Sequence, residues 1–273
     1  MVNIQEKFRE RRQKGKGVFI PFITLGDPEP DFTPTLARAI LRSGGDILEL
    51  GIPFSDPIAD GPTIQAATDR ALKGGMNTET AFTLAKEIRR HTDKPLVFLS
   101  YYNIVLKYGV KTFFRDMEDV DVEGVIIPDL PVEEAGAALE AAKIYGRDLI
   151  LLVAPTTTEA RLNKILAKAS GFVYLVSLLG VTGARGMLKN VTTRALRRIK
   201  PYLRGRIPVA IGFGISKPDH VQEIIEAGAD GVIVGSAIID LLAANLDDRG
   251  KALREIEDYV SRMKSATVRS DVE

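Results

Sequence analysis

The sequence predicts an α/β protein: a single (β/α)8 TIM-type barrel over residues 1–273, with an N-terminal helix and extended loops after strands 2 and 6. Three observations lead there. Apolar runs rich in β-branched residues recur eight times, and amphipathic helical patterns separate them. The whole alternation fits in about 250 residues, a length at which such barrels form one domain. Near-continuous apolarity is what a strand needs when both of its faces are buried, as in a parallel sheet.

The elements follow in order. A charged segment, Gln5 to Arg12, precedes the first run, Val18 to Leu25. The later runs are Ile47 to Leu50, Leu96 to Leu99, Val125 to Ile127, Leu149 to Val153, Phe172 to Val176, Val209 to Ile211 and Val232 to Val234. Helical periodicity covers Phe32 to Ser43, Thr63 to Leu72, Thr78 to His91, Val132 to Tyr145, Thr158 to Ser170 and Pro218 to Ala227. Asp31, Thr78 and Ser216 suit helix starts, and Gly44 and Gly228 suit helix ends. The interval from Gly51 to Pro95 is the longest, and that from Ser177 to Pro208 carries Gly180-Val-Thr-Gly-Ala-Arg-Gly186; the others look tight. Long loops after strands 2 and 6 fall on the barrel face that carries active sites. A doubly wound open sheet is the rival fold. It usually shows a glycine-rich phosphate turn after the first strand, where Thr24-Leu-Gly-Asp-Pro28 offers one glycine. The polar tail from Ser265 to Glu273 is expected to fray.

Composition excludes several function classes. With 37 Lys and Arg against 36 Asp and Glu, the formal charge is +1, which gives no support to binding of nucleic acid or an anionic membrane. There is no cysteine, so thiolate nucleophiles, disulfides and Cys-held metals are excluded. Only His91 and His220 could serve a histidine metal site, and both suit helix termini better, so no metal is expected. The N-terminus lacks the apolar core of a signal peptide, and no apolar run reaches the roughly 18 residues of a membrane helix. A soluble, cytoplasmic protein is expected.

The most informative stretch is Glu49-Leu-Gly-Ile-Pro-Phe-Ser-Asp-Pro-Ile-Ala-Asp-Gly-Pro62, which places Glu49, Asp56 and Asp60 on or near one loop. A glutamate between leucines in a strand is costly unless something compensates it. Burial would lift its pKa toward neutrality, as acid–base catalysis requires, although a structural ion pair with an Arg or Lys would also account for it. Asp60 suits either that chemistry or the cap of the helix starting near Thr63. Asp56, between Ser55 and Pro57, suits a turn or a surface contact.

Glycines cluster after the last two strands. Gly212-Phe-Gly-Ile-Ser216 follows strand 7, and Gly235-Ser236 follows strand 8 and opens a helix. Such loops commonly bind phosphate through backbone N–H groups at a helix N-terminus, and glycine lets the backbone approach closely. Gly214, Gly235 and Ser236 are candidates, with Gly183 from the loop after strand 6; tight turns alone would also account for the glycines, but clusters after both strands of the pair favour phosphate. Phe22, Leu99, Ile126, Tyr174 and Phe213 sit at or near strand ends, as pocket wall or as core. Tyr101, Tyr102 and Asn103 bring polar groups to the end of strand 3.

These residues together resemble the tryptophan synthase α-subunit family over essentially the full chain. The stretch from Glu49 to Gln65 is similar to that family's signature. Pro21-Phe-Ile-Thr-Leu-Gly-Asp27, Pro128-Asp-Leu-Pro131, Gly180-Val-Thr-Gly183 and Gly212-Phe-Gly-Ile215 match its other blocks in the same order. The resemblance implies a reversible retro-aldol cleavage of indole-3-glycerol phosphate to indole and glyceraldehyde 3-phosphate. It implies that Glu49 transfers protons and that Asp60 accepts the indole N–H. Gly183, Gly214, Gly235 and Ser236 would hold phosphate, and Phe22, Leu99, Ile126, Tyr174 and Phe213 would surround indole. Thr182 would close a loop onto Asp60.

The resemblance also implies a β-subunit partner in an α2β2 heterotetramer that receives the indole. Pro53 and Asp56 would be surface contacts to it, and loops 53–60 and 182–189 would relay signals between the sites. Pyridoxal phosphate is expected in that partner and no cofactor in this chain. Leu178-Leu179 before Gly180 and Ile104 after Asn103 depart from the family pattern without touching the acid–base pair. Two other functions share the sequence: a stand-alone lyase that releases indole, and a non-catalytic barrel that activates the partner. Both carboxylates are present, which disfavours the second of these.

Overall fold

The computed structural model describes residues 3–176, 185–203, 205–212 and 214–269, with the backbone alone over 185–191. Eight parallel strands close into a barrel in sequence order, the last pairing with the first. They are β1 (Val18–Thr24), β2 (Leu48–Gly51), β3 (Leu96–Leu99), β4 (Gly124–Ile126), β5 (Asp148–Val153), β6 (Val173–Val176), β7 (Val209–Gly212) and β8 (Gly231–Val234). All eight expected strands are present, each within one or two residues of its apolar run. An open doubly wound sheet is excluded, because no strand among them is an edge.

Helix α1 (Ile4–Gln13) precedes the barrel, and its start is a capping box between Asn3 and Glu6. Helix α2 (Thr33–Arg42) follows β1, and α3 (Pro62–Lys73) and α4 (Thr78–Arg89) follow β2. The interval after β3 holds two helices, α5 (Tyr102–Tyr108) and α6 (Val110–Asp119), although it looked too tight for an excursion. Gly109, at a φ of 95°, breaks what would otherwise be one helix. The remaining helices are α7 (Gly136–Ile144), α8 (Glu159–Leu166), α9 (Arg185–Leu203), α10 (Pro218–Glu226), α11 (Ser236–Ala243) and α12 (Arg249–Ser265). Among the described residues, no helix is long and apolar enough to cross a membrane.

The expected caps fall elsewhere. Asn77, not Thr78, caps α4 by accepting from Thr80 N–H at 2.8 Å. Asp31 lies in a short 3-10 turn, and Lys217 rather than Ser216 precedes α10. The helix ends are as expected: Gly44 and Gly228 take left-handed φ values of 133° and 103°.

Side-chain alternation divides the core into two layers. Outward-facing residues such as Phe19, Leu48, Leu50 and Phe98 pack under the helices, while Val18, Ile20, Ile47, Val97, Ile150 and Ala210 fill the barrel interior. Ile47 is an inward residue, so Glu49, two positions on, faces inward as well.

The N-terminal face of the barrel repeats one device on alternate strand pairs. The residue leading into each even strand accepts a hydrogen bond from the start of the odd strand before it. Asp46 accepts from Phe19 N–H at 2.8 Å, Glu123 from Leu96 at 2.7 Å, Ser170 from Leu149 at 3.0 Å and Asp230 from Val209 at 3.0 Å. The three acids have cationic partners. Arg11 and Lys264 meet Asp46, Arg89 meets Glu123, and Arg12 meets Asp230. Charge therefore closes the base of the barrel, opposite the face on which loop chemistry sits.

Candidate active site at the carboxyl ends of the strands

Register brings the site together. Phe22 pairs with Glu49 across β1 and β2, and Glu49 with Val97 across β2 and β3. Above this row lies a cavity of about 260 Å3 whose lining includes Phe22, Glu49, Asp60, Leu99, Tyr174 and Ser236. Two aromatic rings fit there because neighbouring inward positions are glycines. A Cβ at Gly235 would lie 2.9 Å from the Phe22 ring, and one at Gly212 would overlap the Tyr174 hydroxyl.

Glu49 is 2% exposed, and its Oε2 has no hydrogen-bond partner among the described residues. The structural ion pair that would have explained it is missing among those residues. Burial, reinforced by the negative charge of Asp60, raises its pKa to about 8. The group is therefore protonated at neutral pH and can act as an acid. An orphaned carboxyl oxygen facing a cavity is the arrangement expected of a group that waits for a substrate.

Asp60 does not cap α3. The residue preceding that helix is Gly61, and no side chain caps it. The Asp60 backbone carbonyl instead accepts from Gln65 Nε2 at 2.8 Å, which leaves the carboxylate free of capping. Burial raises its pKa to about 6, opposed by a hydrogen bond from Tyr101. That tyrosine is 2% exposed, and its hydroxyl also accepts the Ala59 N–H at 3.1 Å. One phenol therefore holds the end of the long loop. The sequence placed Tyr101 at the right strand end but carried no signal of this contact, which spans more than forty positions.

Gly214, Gly235 and Ser236 all line the cavity. Ser236 opens α11, so its first N–H groups and the positive end of the helix dipole lie at the cavity wall. Gly214 takes a φ of 74°, a conformation that glycine adopts without a Cβ clash. Phe22, Leu99 and Tyr174 line the same cavity, whereas Ile126, 1% exposed, belongs to the interior core and is not among the lining residues. Thr63, Ile64, Ile215 and Ile233 are lining residues that sequence reasoning missed. Thr63, Ile64 and Ile233 look like ordinary helix or strand residues and Ile215 like a loop residue, and only tertiary packing brings them here. Thr182, Gly183 and Phe213 lie outside the described residues.

Pro53 and Asp56 line a separate cavity of about 550 Å3 with Phe54, Ser55, Asn103 and Lys107. Asp56 is exposed, but Pro53, expected at the surface, is buried. The loop turns so that its proline start packs inward while Ser55, Asp56 and Ile58 are exposed, Ile58 at 82%. Among the described residues, no group of three or more His, Cys, Asp or Glu is placed to hold a metal ion.

Comparison with known proteins identifies the family of the chain. The family model described as tryptophan synthase alpha chain matches residues 8–268. The tryptophan synthase alpha chain of Methanothermobacter thermautotrophicus is 46% identical over 248 residues, 91% of either chain. That of Methanocaldococcus jannaschii is 47% identical over 92% of this chain and 88% of its own length. Among solved structures, the alpha subunit from Legionella pneumophila str. Paris superposes with a TM-score of 0.89 at 32% identity, covering 98% of each chain. A structure of tryptophan synthase from M. tuberculosis gives 0.86 at 31% identity, over 97% of this chain and 98% of that one. The chain is a lyase that belongs to the tryptophan synthase alpha chain family.

Proposed function

We propose that Glu49 and Asp60 carry the cleavage of indole-3-glycerol phosphate to indole and glyceraldehyde 3-phosphate. The observation that carries this reading is the pair itself: one buried, orphaned, protonated carboxyl and one ionised carboxylate on a single cavity. Glu49 donates its proton to the indole ring carbon that bears the glycerol chain, and the ring becomes an indoleninium cation. Asp60 accepts the indole N–H and stabilises that charge, an interaction stronger in the transition state than in the ground state. The Glu49 carboxylate then takes the proton of the adjacent side-chain hydroxyl. The carbon–carbon bond breaks, its electron pair returns to the ring, and the hydroxyl carbon becomes the aldehyde of the second product.

Gly214, Gly235 and Ser236 hold the phosphate at the N-terminus of α11, while Phe22, Leu99 and Tyr174 wall the ring. No step needs a cofactor. The β partner docks on the face that carries Asp56 and Ile58, in an α2β2 assembly. The exposed apolar Ile58 near the exposed Asp56, whose carboxylate accepts only the neighbouring Ser55 hydroxyl among the described residues, supports that reading, because the same loop ends at Asp60.

Substituting Glu49 by Gln keeps the shape and removes the acid. Indole release from indole-3-glycerol phosphate is expected to fall at least about a thousandfold, as for loss of an essential general acid. Cleavage at the parent rate would overturn the assignment. Titrating the β subunit into the assay distinguishes a partner-dependent enzyme, which is activated, from a stand-alone lyase, which is not.

A further inference from the structure

The Pro128-Asp-Leu-Pro131 block contributes nothing to the cavity wall, yet one of its side chains reaches toward the site. The Asp129 carboxylate accepts the backbone N–H of Tyr102 at 2.9 Å. Tyr102 is the first residue of α5, a helix of seven residues, and no side chain on its own preceding residue, Tyr101, caps it. So short a helix is marginal by itself, and its first N–H groups need partners. Asp129 supplies one from the neighbouring strand end.

Tyr101 is therefore held on every side. Its backbone is extended, at φ −90° and ψ 147°, and leads directly into the N–H that Asp129 grips. Its ring packs against Phe54 with centroids 5.3 Å apart. Its hydroxyl accepts Ala59 N–H at 3.1 Å, one residue before Asp60, and interacts with the Asp60 carboxylate so as to hold its pKa down. Burial first, and then the negative charge of Asp60, keep the phenol's proton in place, with the Asp129 charge the smallest contributor.

We infer that Asp129 is a positioning residue for Asp60, fixing the first turn of α5 so that Tyr101 aims its hydroxyl at the Asp60 carboxylate. This rests on the assignment of Asp60 to the cleavage reaction. The chain of contacts runs from the loop after β4 to the loop after β2, across the intervening end of β3. It gives the Pro-Asp-Leu-Pro block a chemical consequence without substrate contact.

The test is a double-mutant cycle on the full chain without its partner, so that docking plays no part. Asp129→Ala is expected to lower kcat about tenfold, the scale of a lost helix cap that also displaces a hydrogen bond to a charged group, with KM nearly unchanged. Asp129→Asn retains an acceptor oxygen and recovers most of that loss. In a Tyr101→Phe background, adding Asp129→Ala costs less than about twofold, because the two act through one contact. The acidic limb of the pH profile moves to higher pH in both single variants, since the Tyr101 hydrogen bond lowers the Asp60 pKa. Glu49 and Tyr174, the other titratable groups felt at this site, are common to all variants.

Effects of Asp129→Ala and Tyr101→Phe that multiply independently, or an unmoved acidic limb, would overturn the inference. If Asp129→Ala does not fold by circular dichroism, Asp129→Glu, which displaces the acceptor by one methylene, enters the same cycle. Asp60→Asn separates the two levels. Its full activity sinks the site assignment, whereas its inactivity with an additive cycle sinks this inference alone.

Discussion

The negative charge of Asp60 acts on Glu49: it adds to burial in lifting the Glu49 carboxyl to about 8, while Asp60 itself titrates at about 6. The two carboxyls thus stand in opposite protonation states over an interval centred near neutrality, which is the condition for an acid and an anion to work side by side. The expected kcat/KM profile is a bell. It rises through about pH 6 as Asp60 ionises and falls through about pH 8 as Glu49 loses its proton, with the limbs reporting the pair. In Asp60→Asn the charge that lifts Glu49 is gone, so the residual activity loses its alkaline limb at a lower pH. A flat profile across this range would rule out both roles.

The same shift has a consequence for stability, with the opposite sign from the usual acid. Glu49 keeps its proton in the fold between its unfolded value of 4.5 and about 8, whereas the unfolded chain releases it. Its contribution is therefore fully present below 4.5 and is lost as pH rises through about 8. The slope is about 1.4 kcal/mol per pH unit over that window, from this one group. Replacing Glu49 with Gln removes the titration. Denaturant melts at a series of pH values should show the variant gaining on the parent from mildly acidic to alkaline pH, and equal pH slopes would contradict a buried neutral Glu49.

Gly212 tests how tightly the aromatic wall is built. A Cβ there would overlap the Tyr174 hydroxyl, which sits at the rigid end of a 5%-exposed ring. Gly212→Ala must push the ring away or shift the strand. Overpacking of this kind costs about 1–3 kcal/mol, so a lower Tm is expected. Because the displaced ring lines the cavity, kcat/KM for indole-3-glycerol phosphate should fall about tenfold or more, beyond what loss of folded protein explains. Unchanged kinetics would show that Tyr174 has room to spare.

What the sequence disclosed follows from what each residue needs locally. Strands buried on both faces must be apolar throughout, so the eight runs stood out and the barrel with them. Glu49 was conspicuous for the converse reason, a carboxyl among leucines, and Gly235-Ser236 because glycines after both of the last two strands are the pattern of a barrel's phosphate site. Tyr101 was visible as a hydroxyl at a strand end, but its grip on Ala59 and Asp60 depends on two loops meeting, which no local pattern encodes. Ile64 and Ile233 are apolar in a helix and a strand, and nothing in the chain separates such residues from core. Helix α5 was hidden because Tyr102–Tyr108 is too short to show helical periodicity and takes an acceptor for its first N–H from Asp129 in another loop.

The opposite end of the barrel should bear stability without chemistry. Asp46 is fully buried, accepts the Phe19 N–H, and meets both Arg11 of α1 and Lys264 of α12. Both ends of the chain are thereby tied to one carboxylate beneath β1 and β2. Asp46→Ala would leave two partly buried cations and a strand N–H without their acceptor, a loss on the scale of about 3–5 kcal/mol for breaking a buried pair from one side. Ser170→Ala removes only the uncharged member of the same fourfold device, next to Leu149, and should cost about 1 kcal/mol. Hydrogen exchange should show α1 and α12 opening together in Asp46→Ala, since they share that anchor. At temperatures where the variant is folded, kcat should stay near the parent value, because the cavity lies at the other end of the strands. A lost kcat with an unchanged melting curve would mean that the two faces of the barrel are coupled more closely than this packing implies.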